Sequence, residues 1–218
     1  ESGISTFRDA GGLWDKYPVE QVATPEGYAR NPELVINFYN ERRKQLLEVR
    51  PNDGHLGLAE LEADFNVTVV TQNIDNLHER AGSRRIIHLH GELTKVCSSR
   101  DPYNPHYIKE LKPDEYEVKF GDKAGDGTQL RPFIVWFGEP VPEIETAVNY
   151  VEKADIFVII GTSMNVYPAA GLLNYVPREA EVYLIDPKPV DVHSMRRIHV
   201  IQKGASEGVR ELRSLLQP

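Results

Sequence analysis

A single cysteine, Cys97, stands in 218 residues. One thiol cannot close an intramolecular disulfide, and it cannot supply the four thiolates of an all-cysteine zinc site. No apolar run approaches the ~20 residues needed to cross a bilayer. The first residues, ESGISTFRDAGG, have no apolar h-region of a secretory signal. Together these shortages lead to the expectation of a cytoplasmic protein. Cations are also in the minority, with 25 Lys and Arg against 33 Asp and Glu, a formal charge of −8. Binding to nucleic acid or to an anionic membrane needs clustered Lys and Arg, so neither is expected as a partner. A basic protein substrate remains compatible. What is present is an ordinary globular composition, 40% hydrophobic and 27% charged. A chain of this length can bury a core without disulfides or metal, and intrinsic disorder is excluded.

Short apolar, β-rich runs recur at Val67 to Val70, Ile86 to Leu89, Phe133 to Phe137, Ile156 to Ile160, Val182 to Ile185 and Ile198 to Ile201. They read as buried parallel strands. Helical patterns lie between them at Leu56 to Asp64, Glu143 to Lys153 and Ser206 to Leu216. This alternation predicts a doubly wound α/β sheet with its ligand crevice at the carboxyl ends of the strands. The residues after those ends are polar: TQNID after Val70, HG after Leu89, GEP after Phe137, GTS after Ile160 and DP after Ile185. Two stretches fall outside the alternation. Ala23 to Arg50 reads as a helical insertion, with Asn31 as N-cap, Pro32 at the first helical position and Leu34, Phe38 and Leu46 at helical spacing. Cys97 to Arg131, rich in Pro, Gly and Asp, reads as a small loop-rich module with scattered Tyr103, Tyr107, Tyr116 and Phe120. The chain also opens as if a loop were already under way, so a preceding strand is expected upstream.

Several of these polar residues admit two readings. His90 before Gly91 is either a satisfied histidine at a strand end or a general base, and His88 at i−2 competes for the role. TQNID is either a helix cap or a site whose amide and carboxylate hold a ligand. Gly161, Thr162 and Ser163 end an apolar run where backbone amides could meet phosphate or ribose, and Asp186 stands one strand later. Tyr39 and Arg42 at i and i+3 share a helical face and can bind a carboxylate by charge-assisted bonds, as any amphipathic helix could.

TQNID followed by NLHERAG, then HLHGEL, WFGE and GTS in this order together resemble the sirtuins, the NAD-dependent protein-lysine deacylases. GISTFRD resembles the second half of the sirtuin cofactor loop, and GAS at Gly204 to Ser206 its adenine contact, so the resemblance covers essentially the whole chain. ATPEGYARNPELVINFYNERRKQL is similar to the bacterial, desuccinylase-type branch. Two departures stand out. The strand and Gly-Ala-Gly loop that open family members are absent, for which truncation is the expected reason. The second is the zinc lobe: family members usually carry two Cys-x-x-Cys pairs there, whereas here Arg100 stands where the partner of Cys97 should be.

The resemblance implies a Rossmann-like NAD-binding domain over 1–22, 51–96 and 131–218, with a small lobe formed by 23–50 and 97–130. It implies NAD as cofactor, acyl-lysine proteins or peptides as substrates, and release of nicotinamide and O-acyl-ADP-ribose. His90 becomes the base, with Asn73 also catalytic. Phe7, Arg8, Gln72, Asn73, Asp75, Gly161, Thr162, Ser163, Asp186 and Ala205 become cofactor contacts. Ile74, Val135, Phe137, Gly138 and Glu139 belong to the substrate, with the segment from Trp136 to Glu139 pairing with its backbone as an added strand. Ala23, Tyr39 and Arg42 match the acid-deacylase branch and imply succinyl or malonyl removal beside deacetylation. No zinc is expected. The rival readings are a non-catalytic module binding NAD and acyl-lysine, and a mono-ADP-ribosyltransferase. A dehydrogenase is disfavoured, because no G-x-G-x-x-G follows a strand.

Overall fold

Asn31 starts the longest helix as its side-chain Oδ1 accepts the Leu34 N–H at 3.1 Å, with Pro32 in the first turn where its missing N–H costs nothing. In a computed structural model, which describes residues 16–161, 169–189 and 196–217, this helix is the third of seven. They are α1 (Val19–Val22), α2 (Pro25–Arg30), α3 (Pro32–Glu48), α4 (Asp53–Glu60), α5 (Leu77–Ala81), α6 (Ile144–Val151) and α7 (Ala205–Leu216). Thr24 caps α2 through Gly27 N–H at 2.9 Å, which is why the helical insertion is two helices meeting at Asn31. α4 carries a reciprocal capping box between Asn52 and His55. No helix among the described residues is long and apolar enough to cross a membrane.

Among the described residues eight strands form three ladders: β1 (Val69–Thr71) beside β2 (Ile86–His88); β4 (Lys109–Glu110), β3 (Gly91–Ser98) and β5 (Leu130–Ile134) in that order; and β6 (Ile156–Ile160), β7 (Glu181–Ile185) and β8 (His199–Ile201). The first and third ladders are parallel, as α/β alternation requires. The second is antiparallel. This corrects the expectation of a parallel strand at Phe133 to Phe137. The strand there begins at Leu130, ends at Ile134 and runs against β3, an element with no counterpart in the sequence reading. β3 escaped notice because its register shifts between Gly91 and Val96, which spoils the period-2 alternation a strand would show. Pro132, opposite Val96, further masks its partner.

The helices of the insertion bury Val22, Phe38 and Tyr39 against Leu93 and Trp136. A second core joins the two parallel ladders, with Ile87 and Leu89 packed among Ile159, Val182 and Leu184 and covered by Ala147 and Val151 of α6. A third places α7 against β7 through Val209, Leu212 and Ile185. A small fourth core, Ile36, Val96 and Val118, seats the loop-rich module on α3. Among its expected aromatic residues Phe120 lies outside, 61% exposed, so aliphatic contacts rather than that ring hold the module.

Candidate active site

β1 and β2 end side by side, Thr71 opposite His88, and the chain beyond each folds back toward the other. Thr71 Oγ1 accepts the Asn73 N–H at 3.0 Å, and Asp75 Oδ1 accepts the Leu77 N–H at 3.0 Å. The capping role of Asp75 is therefore real, and it holds the turn that presents Gln72, Asn73 and Ile74. His90 Nδ1 lies 3.1 Å from the Gln72 carbonyl. A carbonyl only accepts, so Nδ1 carries the proton and the neutral ring keeps its lone pair on Nε2. Burial holds the His90 pKa below the ordinary value, and the Gln72 bond offsets part of that. A ring neutral around pH 7, with one nitrogen anchored and the other open, suits a general base. His88 cannot compete, because Nε2 meets Glu79 at 2.5 Å and Nδ1 meets the Asn73 carbonyl at 3.3 Å.

The fold itself accounts for Gly91: a Cβ there would sit 2.2 Å from the Phe133 carbonyl oxygen, and φ is +86°. Glycine is required so that β5 can cross β3 closely, which in turn brings Val135 N–H onto the His90 carbonyl at 2.9 Å.

On the substrate side, Phe137 N–H bonds the Ala23 carbonyl at 3.0 Å and Leu93 N–H bonds the Ile74 carbonyl at 2.7 Å, so the insertion, the TQNID turn and the segment after β5 converge. Phe137 is 55% exposed and Val135 half-buried. The segment from Trp136 to Glu139 departs from the expected open strand. Glu139 N–H returns to the Trp136 carbonyl at 3.0 Å with Gly138 at φ +89°, closing a tight turn. Its N–H groups at Trp136, Phe137 and Glu139 are all taken internally. Glu139 was expected to contact substrate; its carboxylate is instead committed to a two-bond pair with Arg131, 2.9 Å on each arm, while also accepting the Trp136 N–H at 2.8 Å. Arg131 also stacks 3.6 Å from the Trp136 ring.

Tyr39 is buried and its hydroxyl accepts the Trp136 indole N–H at 3.1 Å; burial drives its pKa above the ordinary phenol value. Arg42 packs its guanidinium 5.0 Å from the Phe38 ring centre, 13% exposed. Nη2 lies 3.5 Å from the Glu41 carboxylate, but Nε and Nη1 are buried with no hydrogen-bond partner. Tyr39 and Arg42 do not bond each other among the described residues; both flank Phe38. Leaving such buried donors unpaired is costly.

The nucleotide side is described in part. Phe7, Arg8, Thr162 and Ser163 lie outside the described residues. Gly161 and Asp186 follow adjacent parallel strands, linked as Gly161 N–H meets the Ile185 carbonyl at 2.9 Å. Gly161 has φ +57°, and among the described residues nothing lies within 4 Å of where its Cβ would point. Asp186 Oδ1 accepts the Lys188 N–H at 2.8 Å. Ala205 opens α7 and packs against Gly54 of α4. An open surface hollow of about 530 Å³, lined by residues such as Glu62, Gly82 and Arg84, includes none of these residues.

Cys97 is fully buried, with its thiol 3.8 Å from the Pro132 carbonyl and pushed by burial up to about 12. Where a partner cysteine would stand, Ser98, Asp126 and Thr128 form a hydrogen-bond cluster joined by the Arg100 N–H. Ser98 and Thr128 hold the Asp126 carboxyl down to about 2. One buried thiol and a self-satisfied cluster do not fit a four-ligand structural zinc.

Four residues important to this arrangement escaped sequence reading. Asn40 exchanges two bonds with the Val118 backbone, at 2.7 and 3.0 Å, and Arg43 donates to Leu93, Asn40 and Tyr116. Both are buried on α3. Their signal was available: Asn40 and Arg43 are at i, i+3 on the face of Ile36, where a polar pair among apolar positions needs partners. Arg131 and Glu79 had no comparable mark.

A family model described as the Sir2 family matches residues 1–168. The chain is 85% identical over 218 residues to an NAD-dependent protein deacylase of Bacteroides thetaiotaomicron, covering 100% of this chain and 93% of that relative. Among solved structures it is similar to a mutant Sir2 homologue in complex with ADP-ribose, at 35% identity and TM-score 0.83, covering 100% of this chain and 90% of that one. It is likewise similar to a Sir2 homologue in complex with NAD, at 36% identity and TM-score 0.82, covering 99% and 86%.

Proposed function

The chain belongs to the Sir2 family, and we infer from that membership and from the site that it is an NAD-dependent protein-lysine deacylase with His90 as its general base. NAD, when bound, supplies an electrophilic ribose carbon with nicotinamide as the leaving group, so that the acyl group ends on ADP-ribose. The observation that carries the assignment of the base is the His90 ring itself, anchored at Nδ1 by the Gln72 carbonyl and open at Nε2. That nitrogen takes a proton from a hydroxyl, and the Val135 bond to the His90 carbonyl sets the distance between the base and the substrate segment. Asn73 and Gln72 offer amides to ribose and water beside it, and Asp75 offers its second carboxylate oxygen to the nicotinamide amide. Gly161 to Ser163, Asp186 and Ala205 hold the rest of the nucleotide, with Phe7 and Arg8 as its cover. Residues 1–22, 51–96 and 131–218 make the nucleotide-binding domain; 23–50 and 97–130 make a lobe held without zinc, its two segments meeting where Ile36 and Val118 pack together on Val96 of the domain.

Acyl groups ending in a carboxylate, succinyl and malonyl, are among those removed beside acetyl. The unanswered Arg42 nitrogens Nε and Nη1 support this; Tyr39 and the small Ala23 belong to the cluster of Phe38, whose ring the Arg42 guanidinium covers. Ile74, Val135, Phe137 and Gly138 line the path of the acyl-lysine, while Glu139 braces that wall through Arg131. The test is NAD-dependent release of lysine from matched acetyl- and succinyl-peptides by the full-length protein and its His90→Ala variant. Wild type should cleave both and the variant neither. Cleavage by the variant at the wild-type rate would remove His90 from its role, and transfer of ADP-ribose to protein without deacylation would replace the reaction itself.

A further inference from the structure

Beside the base stands a second histidine whose two nitrogens both face acceptors. His88 ends β2, its side chain 8% exposed, with Nε2 2.5 Å from Glu79 Oε1 and Nδ1 3.3 Å from the Asn73 carbonyl oxygen. A carboxylate and a carbonyl can only accept. A neutral imidazole has one N–H, so in that form a ring lone pair would point at an oxygen on one side or the other. The arrangement is satisfied only by the doubly protonated ring. We propose that Glu79 keeps His88 as an imidazolium whose second N–H clamps the Asn73 peptide, so that Glu79 and His88 are positioning residues for the deacylation described above, on which this inference rests.

The clamp closes a ring of contacts. Asp75 caps the start of α5, Glu79 lies one turn along that helix and reaches His88 on β2, and His88 returns to Asn73, two residues before the cap. Losing the His88 proton therefore releases the Asn73 carbonyl from the strand that leads to His90. Other charges face the ring from each neighbouring element. Glu92 on β3 places Oε1 3.9 Å from Nε2 and favours the cation; its Oε2 is already paired with Lys95 at 2.7 Å. On α5, His78 feels the His88 charge, and His55 on α4 meets His78 edge to face with ring centres 4.7 Å apart. Burial lowers the His88 pKa, but the Glu79 bond and charge override it and the net direction is upward. His90, two residues on, is moved the other way. Two histidines with pKa values pushed apart make one site active between them: His90 works neutral and fails as pH falls through its lowered pKa, whereas His88 works charged and fails as pH rises through its raised pKa.

The experiment follows the ring 15N and the Asn73 backbone resonances by NMR in the full chain, with kcat for an acetyl-lysine peptide measured across pH, in wild type and Glu79→Gln. Removing a hydrogen-bonded carboxylate should lower the His88 pKa by about 1–3 units. The Asn73 resonances should titrate with His88 in both proteins, and the alkaline limb of kcat should move down with them while the acid limb stays. His88→Gln, whose amide nitrogen can serve one acceptor at a time, should lose that limb altogether; it is the second variant should Glu79→Gln fold poorly. An unmoved His88 pKa, Asn73 resonances indifferent to His88, or an alkaline limb that stays in place overturns the proposal. A wild type that removes no acyl group overturns the reaction instead, and the NMR titration then decides the clamp on its own.

Discussion

At the scale of single residues, burial acts on three histidines and partners decide the outcome. His78 has the least help: its Nδ1 is buried without a hydrogen bond and its pKa is lowered to about 4, by burial first and by neighbouring His55 next. The sign follows. Because the folded pKa lies below the unfolded ~6.5, the unfolded chain takes up a proton first, so stability falls as pH drops from about 6.5 to 4, by roughly 2–3 kcal/mol at most. Replacing His78 with Leu should flatten that decline in urea unfolding measured from pH 7 to 4; an unchanged slope would place the loss elsewhere. Arg42 makes the second residue-scale prediction. Exchange for Met should lower kcat/KM on a succinyl-peptide by about 10–100-fold, the value of a charge-assisted bond of ~1.5–3 kcal/mol, while leaving the acetyl-peptide nearly untouched. Equal loss on both would show that Arg42 serves the wall rather than the acyl carboxylate.

Between elements, buried polar groups tie the loop-rich module and the turn after β5 to their neighbours. Asn40 and Arg43 bind α3 to the backbone at Leu93, Tyr116 and Val118, and Arg131 ties β5 to the turn at Glu139. Arg43 loses so much hydration that its pKa falls to about 10. Breaking such a pair strands the remaining charge. Arg131→Met should therefore cost about 3–5 kcal/mol, read as a drop in the denaturant midpoint at constant m-value. A double variant, Arg131→Met with Glu139→Gln, should recover part of that loss, because no unpaired charge is left behind. β3 and β5 were the elements least visible in the sequence, since a bulge and a proline interrupt the alternation by which strands are recognised. α3 was visible to the residue at its start, because an Asx cap followed by proline is a purely local signal.

Across the whole molecule, four apolar clusters divide the core, and the smallest carries the loop-rich module. A module seated by Ile36, Val96 and Val118 and by the polar ties of α3 should not depend on metal. Addition of a strong chelator should leave the thermal midpoint and deacylase activity unchanged, and stoichiometric zinc in the purified protein would refute this. The two parallel ladders share one core although no ladder hydrogen bond joins them among the described residues, so their relation rests on side-chain packing of Ile87 and Leu89 against Ile159 and Leu184.

Local rules by themselves determined much of this protein. The apolar runs at Ile156 to Ile160 and Val182 to Ile185, the cap at Asn31, and the polar residues after each strand follow from propensity and period alone. Motif order alone identified the family. Tertiary structure decided what depends on distance across the chain. It separated His90 from His88, because only the fold brings Gln72, Glu79 and Asn73 to their rings. It joined the Glu139 carboxylate to Arg131, and it left Nε and Nη1 of Arg42 without partners in a buried place. Spacing can put a charge on a face, but whether that charge is already neutralised depends on partners that sequence distance hides.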